Sequence, residues 1–176
     1  MNWLKNGKNW LRIVIIILIV GITAGIYLIK NPLGPDQYNS AEFDLDATEN
    51  FNLSAILSNH LPVIIDFGAD SCIPCKEMAP ILADLNQELR GKAVVKFVDV
   101  WKNPSAGQEV PLEVIPTQFF FNADGSPYVP ADKESAAANG FILYTTKESG
   151  VHVFTAHQGG LDKETLLAVL KEMGMQ

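Results

Sequence analysis

Cys72 and Cys75 are the only cysteines in a chain of 176 residues, and two residues separate them. Thiols at that spacing can open and close one disulfide without help from the rest of the chain. Asp66 stands six residues before Cys72, inside the apolar run Pro62-Val-Ile-Ile-Asp-Phe67. Such surroundings raise a carboxyl's proton affinity. Zinc is the first competing reading of the pair, but a closed zinc site wants four ligands. The other candidate ligands are His60, His152 and His157. His152 and His157 are five apart in a strand-like segment, which sends them to opposite faces. A purely structural disulfide is the second competing reading, and it would stabilise little across so short a loop. Redox chemistry at Cys72 and Cys75 is the reading that remains, with no metal and no cofactor beyond the disulfide.

The neighbouring elements must hold the thiols in place. The β-branched run ending at Phe67 predicts a buried strand, bounded by Pro62 and Gly68. After Cys75, the residues Met78, Ile81, Leu82, Leu85 and Leu89 recur at helical spacing, and Arg90-Gly91 supplies a stop. Cys72 then sits at a helix N-terminus. Unpaired N–H groups and the helix dipole stabilise a thiolate there, so Cys72 is the expected nucleophile. Cys75, one turn in, is the expected resolving thiol. Pro74 limits the backbone freedom between them.

The segment Val63–Pro80 resembles the active-site segment of the thioredoxin family. Asp66, Cys72, Pro74, Cys75, Lys76 and Pro80 fall at the family's positions. Val98-Asp-Val-Trp-Lys-Asn-Pro104 resembles a family strand end, and Ile115-Pro116-Thr117 resembles its cis-proline tripeptide. The match covers roughly Phe51–Gly174. The resemblance implies an α/β fold, a central mixed sheet flanked by helices, with protein disulfides as substrates. It implies that Asp66 exchanges a proton with Cys75; a hydrogen-bonded structural Asp is the alternative. It implies a cis bond before Pro116, facing the disulfide. Ile73, Pro74, Ile115 and Thr117 are then the expected partner-binding residues. The departures are Ser71 before the first Cys and Gly68 two residues after Asp66, where the family often carries Trp. A Lys that often pairs with the buried Asp aligns with Phe97, next to Lys96. These changes point toward extracytoplasmic bacterial relatives with narrower partners.

The N-terminus carries a second signal. Residues 13–29 hold no charge and are dominated by Ile, Val and Leu, the short end of a transmembrane length. Lys5, Lys8 and Arg12 precede the run and Lys30 follows it. The positive-inside rule then puts residues 1–12 in the cytoplasm and the folded part outside, on an uncleaved signal anchor in the cell membrane. A cleaved signal peptide is the alternative, but no small-x-small site follows the run. After residue 35 the chain has nine Lys/Arg against 20 Asp/Glu, a net charge of −11, which argues against nucleic acid as a partner.

The expected organisation is therefore a basic segment 1–12, an anchor 13–29, a linker 30–47 and a thioredoxin-like domain 48–176. Within the domain, residues 126–140 read as an insertion, either a partner-recognition surface or a tolerated loop. Two strands, Phe141–Thr145 and Val151–Thr155, and a last helix capped by Asp162 complete the pattern. The expected function is tethered thiol–disulfide exchange. Ile73-Pro74 offers no donor to stabilise a thiolate further, which favours a reductant of exported proteins or apocytochrome c (a role in cytochrome c maturation), served by a membrane electron-donor thiol protein. A disulfide-forming oxidase and a non-catalytic tethered binding module are the alternatives.

Overall fold

The computed structural model describes residues 13–23 and 40–176. Residues 13–23 form helix α1, exposed from Ile15 onward. Among the described residues no helix is long and apolar enough to cross a membrane. The basic segment with Lys5, Lys8 and Arg12, the expected anchor beyond residue 23, and the linker up to residue 39 lie outside the described residues. Helix α1 and the domain from residue 40 belong to separate compact units.

The domain runs α2 (Leu53–Leu57), β1 (Val63–Gly68), α3 (Ile73–Glu88), β2 (Val94–Asp99), β3 (Thr117–Phe121), α4 (Lys133–Ala138), β4 (Phe141–Thr145), β5 (His152–Gln158) and α5 (Lys163–Glu172). The five strands form one mixed sheet in the order β2-β1-β3-β5-β4. β1 and β2 are parallel, joined through α3, and the other pairings are antiparallel. Both faces are covered, which is why β1 reads as a continuous apolar run rather than an alternation. On one face Met78, Leu82 and Leu85 of α3 and Leu166 and Leu170 of α5 pack on Ile64, Val95 and Phe120. On the other, Phe43 and Ile56 pack on Val63, Ile65, Phe67 and Phe119. Burying such side chains, at roughly 1.5–3 kcal/mol each, makes this double layer the main source of stability.

Three boundaries differ from the sequence expectation. Residues 40–47, expected to end the linker, belong to the domain. Ser40–Phe43 forms a 3₁₀ turn, and Phe43 is only 2% exposed. Phe97 N–H donates to the Leu45 carbonyl (2.7 Å) and Ala47 N–H to the Phe97 carbonyl (2.9 Å). The physical reason is that β2 is an edge strand, whose outward N–H and C=O groups need partners. The second difference is at β5, which extends to Gln158. Ala156 and His157 pair with both β3 and β4, and Gln158 pairs with Thr117 of β3, so the stretch is held as strand. The stretch expected as an insertion begins as part of the sheet. Tyr128 N–H donates to the Phe120 carbonyl (3.0 Å), and only then does the chain turn into α4, capped by Asp132. α5 is capped by Asp162, which accepts from Thr165 N–H at 2.8 Å.

Candidate functional site

The thiols stand where β1 gives way to α3. A turn closes with Cys72 N–H donating to the Ala69 carbonyl (3.0 Å). Cys72 is then the N-cap of α3, and its Sγ accepts from Cys75 N–H at 3.3 Å. Pro74 lies in the first turn, where a missing N–H leaves no acceptor unpaired. Cys72 and Cys75 form a disulfide with their Cα atoms 5.3 Å apart. The two sulfurs have unequal surroundings. Cys72 is half-buried, beside an Ile73 that is 72% exposed, whereas Cys75 is buried.

Gly68 makes room for the inner thiol. A Cβ there would stand 3.2 Å from Cys75 Sγ, 3.3 Å from Cys75 Cβ and 2.9 Å from the Phe97 ring. The small residue at this position is a packing requirement of this chain, set by Phe97 on the neighbouring strand.

Asp66 is fully buried on the same face of β1 as Gly68. Its Oδ1 accepts from Gln118 Nε2 at 2.7 Å, while Oδ2 is buried without a hydrogen-bond partner. Burial pushes the carboxyl up to about 7, and the Gln118 hydrogen bond pulls it down only in part. Lys96 does not reach it. Phe97 is the residue in register with Asp66, and Lys96 donates to the Asp44 carbonyl. The partner of Asp66 comes from β3 instead.

The Ile115–Pro116 peptide bond is cis. Register sets Thr117 opposite Phe67, so Pro116 follows at the end of the sheet where the disulfide loop leaves β1. The Pro116 carbonyl accepts from Gly159 N–H at 2.8 Å. Of the expected partner-binding residues, Ile73 and Pro74 are exposed and Ile115 is half-buried. Thr117 is buried, and its hydroxyl donates to the Val114 carbonyl at 2.8 Å. It braces the turn, and the exposed apolar surface there belongs to Val114. Trp101 adds a further exposed apolar side chain. Its loop is tied back, because Asp99 accepts from the N–H groups of Asp70, Trp101 and Lys102.

With this geometry, the thioredoxin family's sequence model matches residues 43–142. The chain belongs to the thioredoxin family. A thioredoxin of Rickettsia felis is 34% identical over 76 residues, 43% of this chain and 72% of that protein. A thioredoxin of Rickettsia conorii is 38% identical over 66 residues, 38% of this chain and 63% of that protein. A bifunctional thioredoxin reductase/thioredoxin of Mycobacterium leprae is 34% identical over 88 residues, 50% of this chain and 19% of that protein. The solved structure of a chloroplastic thioredoxin z matches at a TM-score of 0.49 and 20% identity, covering 73% of this chain and 91% of that one. The chain is a thiol–disulfide oxidoreductase of the thioredoxin class, and its redox centre is part of the polypeptide.

Three functional neighbours escape a reading of the sequence: Gln118, His157 and Val114. Gln118 carries a signal, being polar amid the strand Thr117–Phe121. His157 reads only as a weak metal candidate, because its spacing from His152 says nothing about β3. Among the described residues no cluster of His, Cys, Asp and Glu could hold a metal ion.

Proposed function

We propose that this thioredoxin is a membrane-tethered, extracytoplasmic reductant acting on disulfides of exported proteins or of apocytochrome c. The observation that carries the exchange chemistry is the pair itself, Cys72 capping α3 half-exposed with Cys75 buried one turn in; the reductant direction rests on Ile73-Pro74, which gives the thiolate no donor. The tether rests on the uncharged run 13–29 behind Lys5, Lys8 and Arg12, and on the net acidity of everything after residue 35.

The exchange runs in two displacements. The Cys72 thiolate attacks one sulfur of the partner's disulfide. That S–S bond breaks, a partner thiolate leaves with the electron pair, and a mixed disulfide forms. Asp66 then takes the Cys75 proton. The Cys75 thiolate attacks Cys72 Sγ, the mixed disulfide breaks, and the second partner thiolate leaves. Two electrons have passed to the partner, and the Cys72–Cys75 disulfide remains. Its re-reduction calls for a dithiol donor, which we assign to a membrane electron-donor thiol protein. Ile73, Pro74, Ile115 and Val114 would line the partner's path, with the backbone before cis-Pro116 pairing in strand fashion.

The test is the reduction potential of the full chain, equilibrated with dithiothreitol or glutathione buffers and followed by thiol labelling. Ile73 adds only apolar surface and Pro74 has no N–H, so little beyond the helix end stabilises the thiolate. A value near thioredoxin's, about −270 mV, is expected. A value above roughly −180 mV would replace the reductant with the disulfide-forming oxidase. Absence of Cys72-dependent insulin reduction would leave a tethered binding module.

A further inference from the structure

One row of residues crosses the whole sheet on the face that carries the thiols. Phe97, Asp66, Gln118, His157 and Phe141 are successive register partners on β2, β1, β3, β5 and β4. The three middle members are polar and buried, and an aromatic ring closes each end. The Phe141 ring packs edge-on against His157, with centroids 5.2 Å apart.

The hydrogen bonds along the row have only one consistent direction. Gln118 Nε2 faces two acceptors, Asp66 Oδ1 at 2.7 Å and the Gly159 carbonyl at 3.1 Å. Turning the amide over would set its oxygen against the Gly159 carbonyl, which has no proton to donate. Gln118 Oε1 therefore faces His157 Nδ1, at 3.2 Å, and Nδ1 must carry a proton. The ring also meets the backbone of Asn139 and Gly159, and Gly140 leaves room for it, since a Cβ there would come within 3.1 Å of Nε2. With Oδ1 occupied by an N–H donor, the acid proton of Asp66 belongs on Oδ2, which is bare.

We propose that Gln118 and His157 are positioning residues: His157 fixes the Gln118 amide, and Gln118 covers Oδ1 of Asp66 so that the proton passed between Asp66 and Cys75 sits on Oδ2. The inference deepens the reading of Asp66 as the proton acceptor for Cys75 and rests on it for that last step. Titratable neighbours are few. From α3 Cys75 faces this side of the sheet, from β5 His157, and β3 contributes only Gln118. From β2 come Phe97 and, opposite Gly68, Asp99, whose carboxylate is already met by three backbone N–H groups. Lys96 is directed away, onto the Asp44 carbonyl. Cys75 is disulfide-bonded in the oxidised protein, so Asp66 can be titrated there without a thiol signal.

The experiment is carbon and nitrogen NMR of the oxidised full chain in detergent micelles. In the unmutated protein the Gln118 side-chain amide protons should shift with pH and share the Asp66 carboxyl midpoint. In Gln118→Met, which keeps the volume and removes the donor, that midpoint should rise by about one to two pH units. His157→Leu should shift it in the same direction by less, and His157→Asn, whose amide N–H can replace Nδ1–H, should restore it. An amide signal indifferent to the titration, or an unmoved midpoint in Gln118→Met, overturns the assignment of Gln118. An unmoved midpoint in His157→Leu overturns that of His157. The rate at which Cys75 resolves a mixed disulfide, followed against pH, separates the two readings. A midpoint that moves without the rate following removes Asp66 as the proton acceptor and leaves the positioning of its proton standing.

Discussion

Asp66 should make this thioredoxin less stable as the pH rises, and Asp66→Asn should remove the effect. Burial takes the carboxyl from an ordinary 3.8 to about 7 in the folded protein. Between those two values the unfolded chain has released the proton and the folded protein still holds it. The unfolded state binds fewer protons there, so stability falls with rising pH across the window and is level above it. A shift of about three units, at about 1.4 kcal/mol each, corresponds to a loss of about 4 kcal/mol. Asn is a fair neutral reference. Its oxygen can accept from Gln118 as Oδ1 does, and its N–H₂ replaces the unpaired acid O–H on Oδ2. Denaturant unfolding of both oxidised proteins in the same detergent, at a series of pH values, measures the gap. Near pH 4 the two should differ by under about 1 kcal/mol, since both carry a neutral group. The gap should open through the window and reach several kcal/mol in favour of Asn above neutrality. A gap that stays constant with pH would refute the argument, because only a carboxyl neutral in the folded protein yields this profile.

Cys72→Ser should abolish exchange, whereas Cys75→Ser should attack and stall, trapping mixed disulfides visible on non-reducing gels; faster alkylation of Cys75 than of Cys72 in the reduced protein would reverse the roles. Gly68→Ala should cost about 1–3 kcal/mol in unfolding experiments, because its Cβ would press on Phe97 and Cys75, and a neutral outcome would show that this corner relaxes freely. Asp162→Ala should cost about 1 kcal/mol through loss of the cap on α5, measured in the same way. Protease added to cells stripped of their outer layers should digest the domain if the orientation proposed from the basic residues before residue 13 holds; full protection would reverse it.

The redox centre is legible in the sequence because its parts are local. A strand, a Cys-x-x-C pair and a helix with Pro in its first turn are contiguous, and each is governed by neighbours a few residues away. Local signals likewise specify the caps at Cys72 and Asp162 and the strand Phe141–Thr145. The surroundings of that centre are a different matter. That Phe97 rather than Lys96 stands beside Asp66 depends on the register of β1 with β2, and a slip of one residue would exchange them. That Gln118 answers the buried carboxylate, and His157 the Gln118 amide, depends on three strands 52 and 39 residues apart in sequence meeting in one row. Residues 40–47 pass for linker because their partner, the open edge of β2, lies some 50 residues further on. Spacing along a chain encodes the reacting pair, while the proton affinity of Asp66 comes from burial and a cross-strand hydrogen bond, which exist only once the sheet has closed.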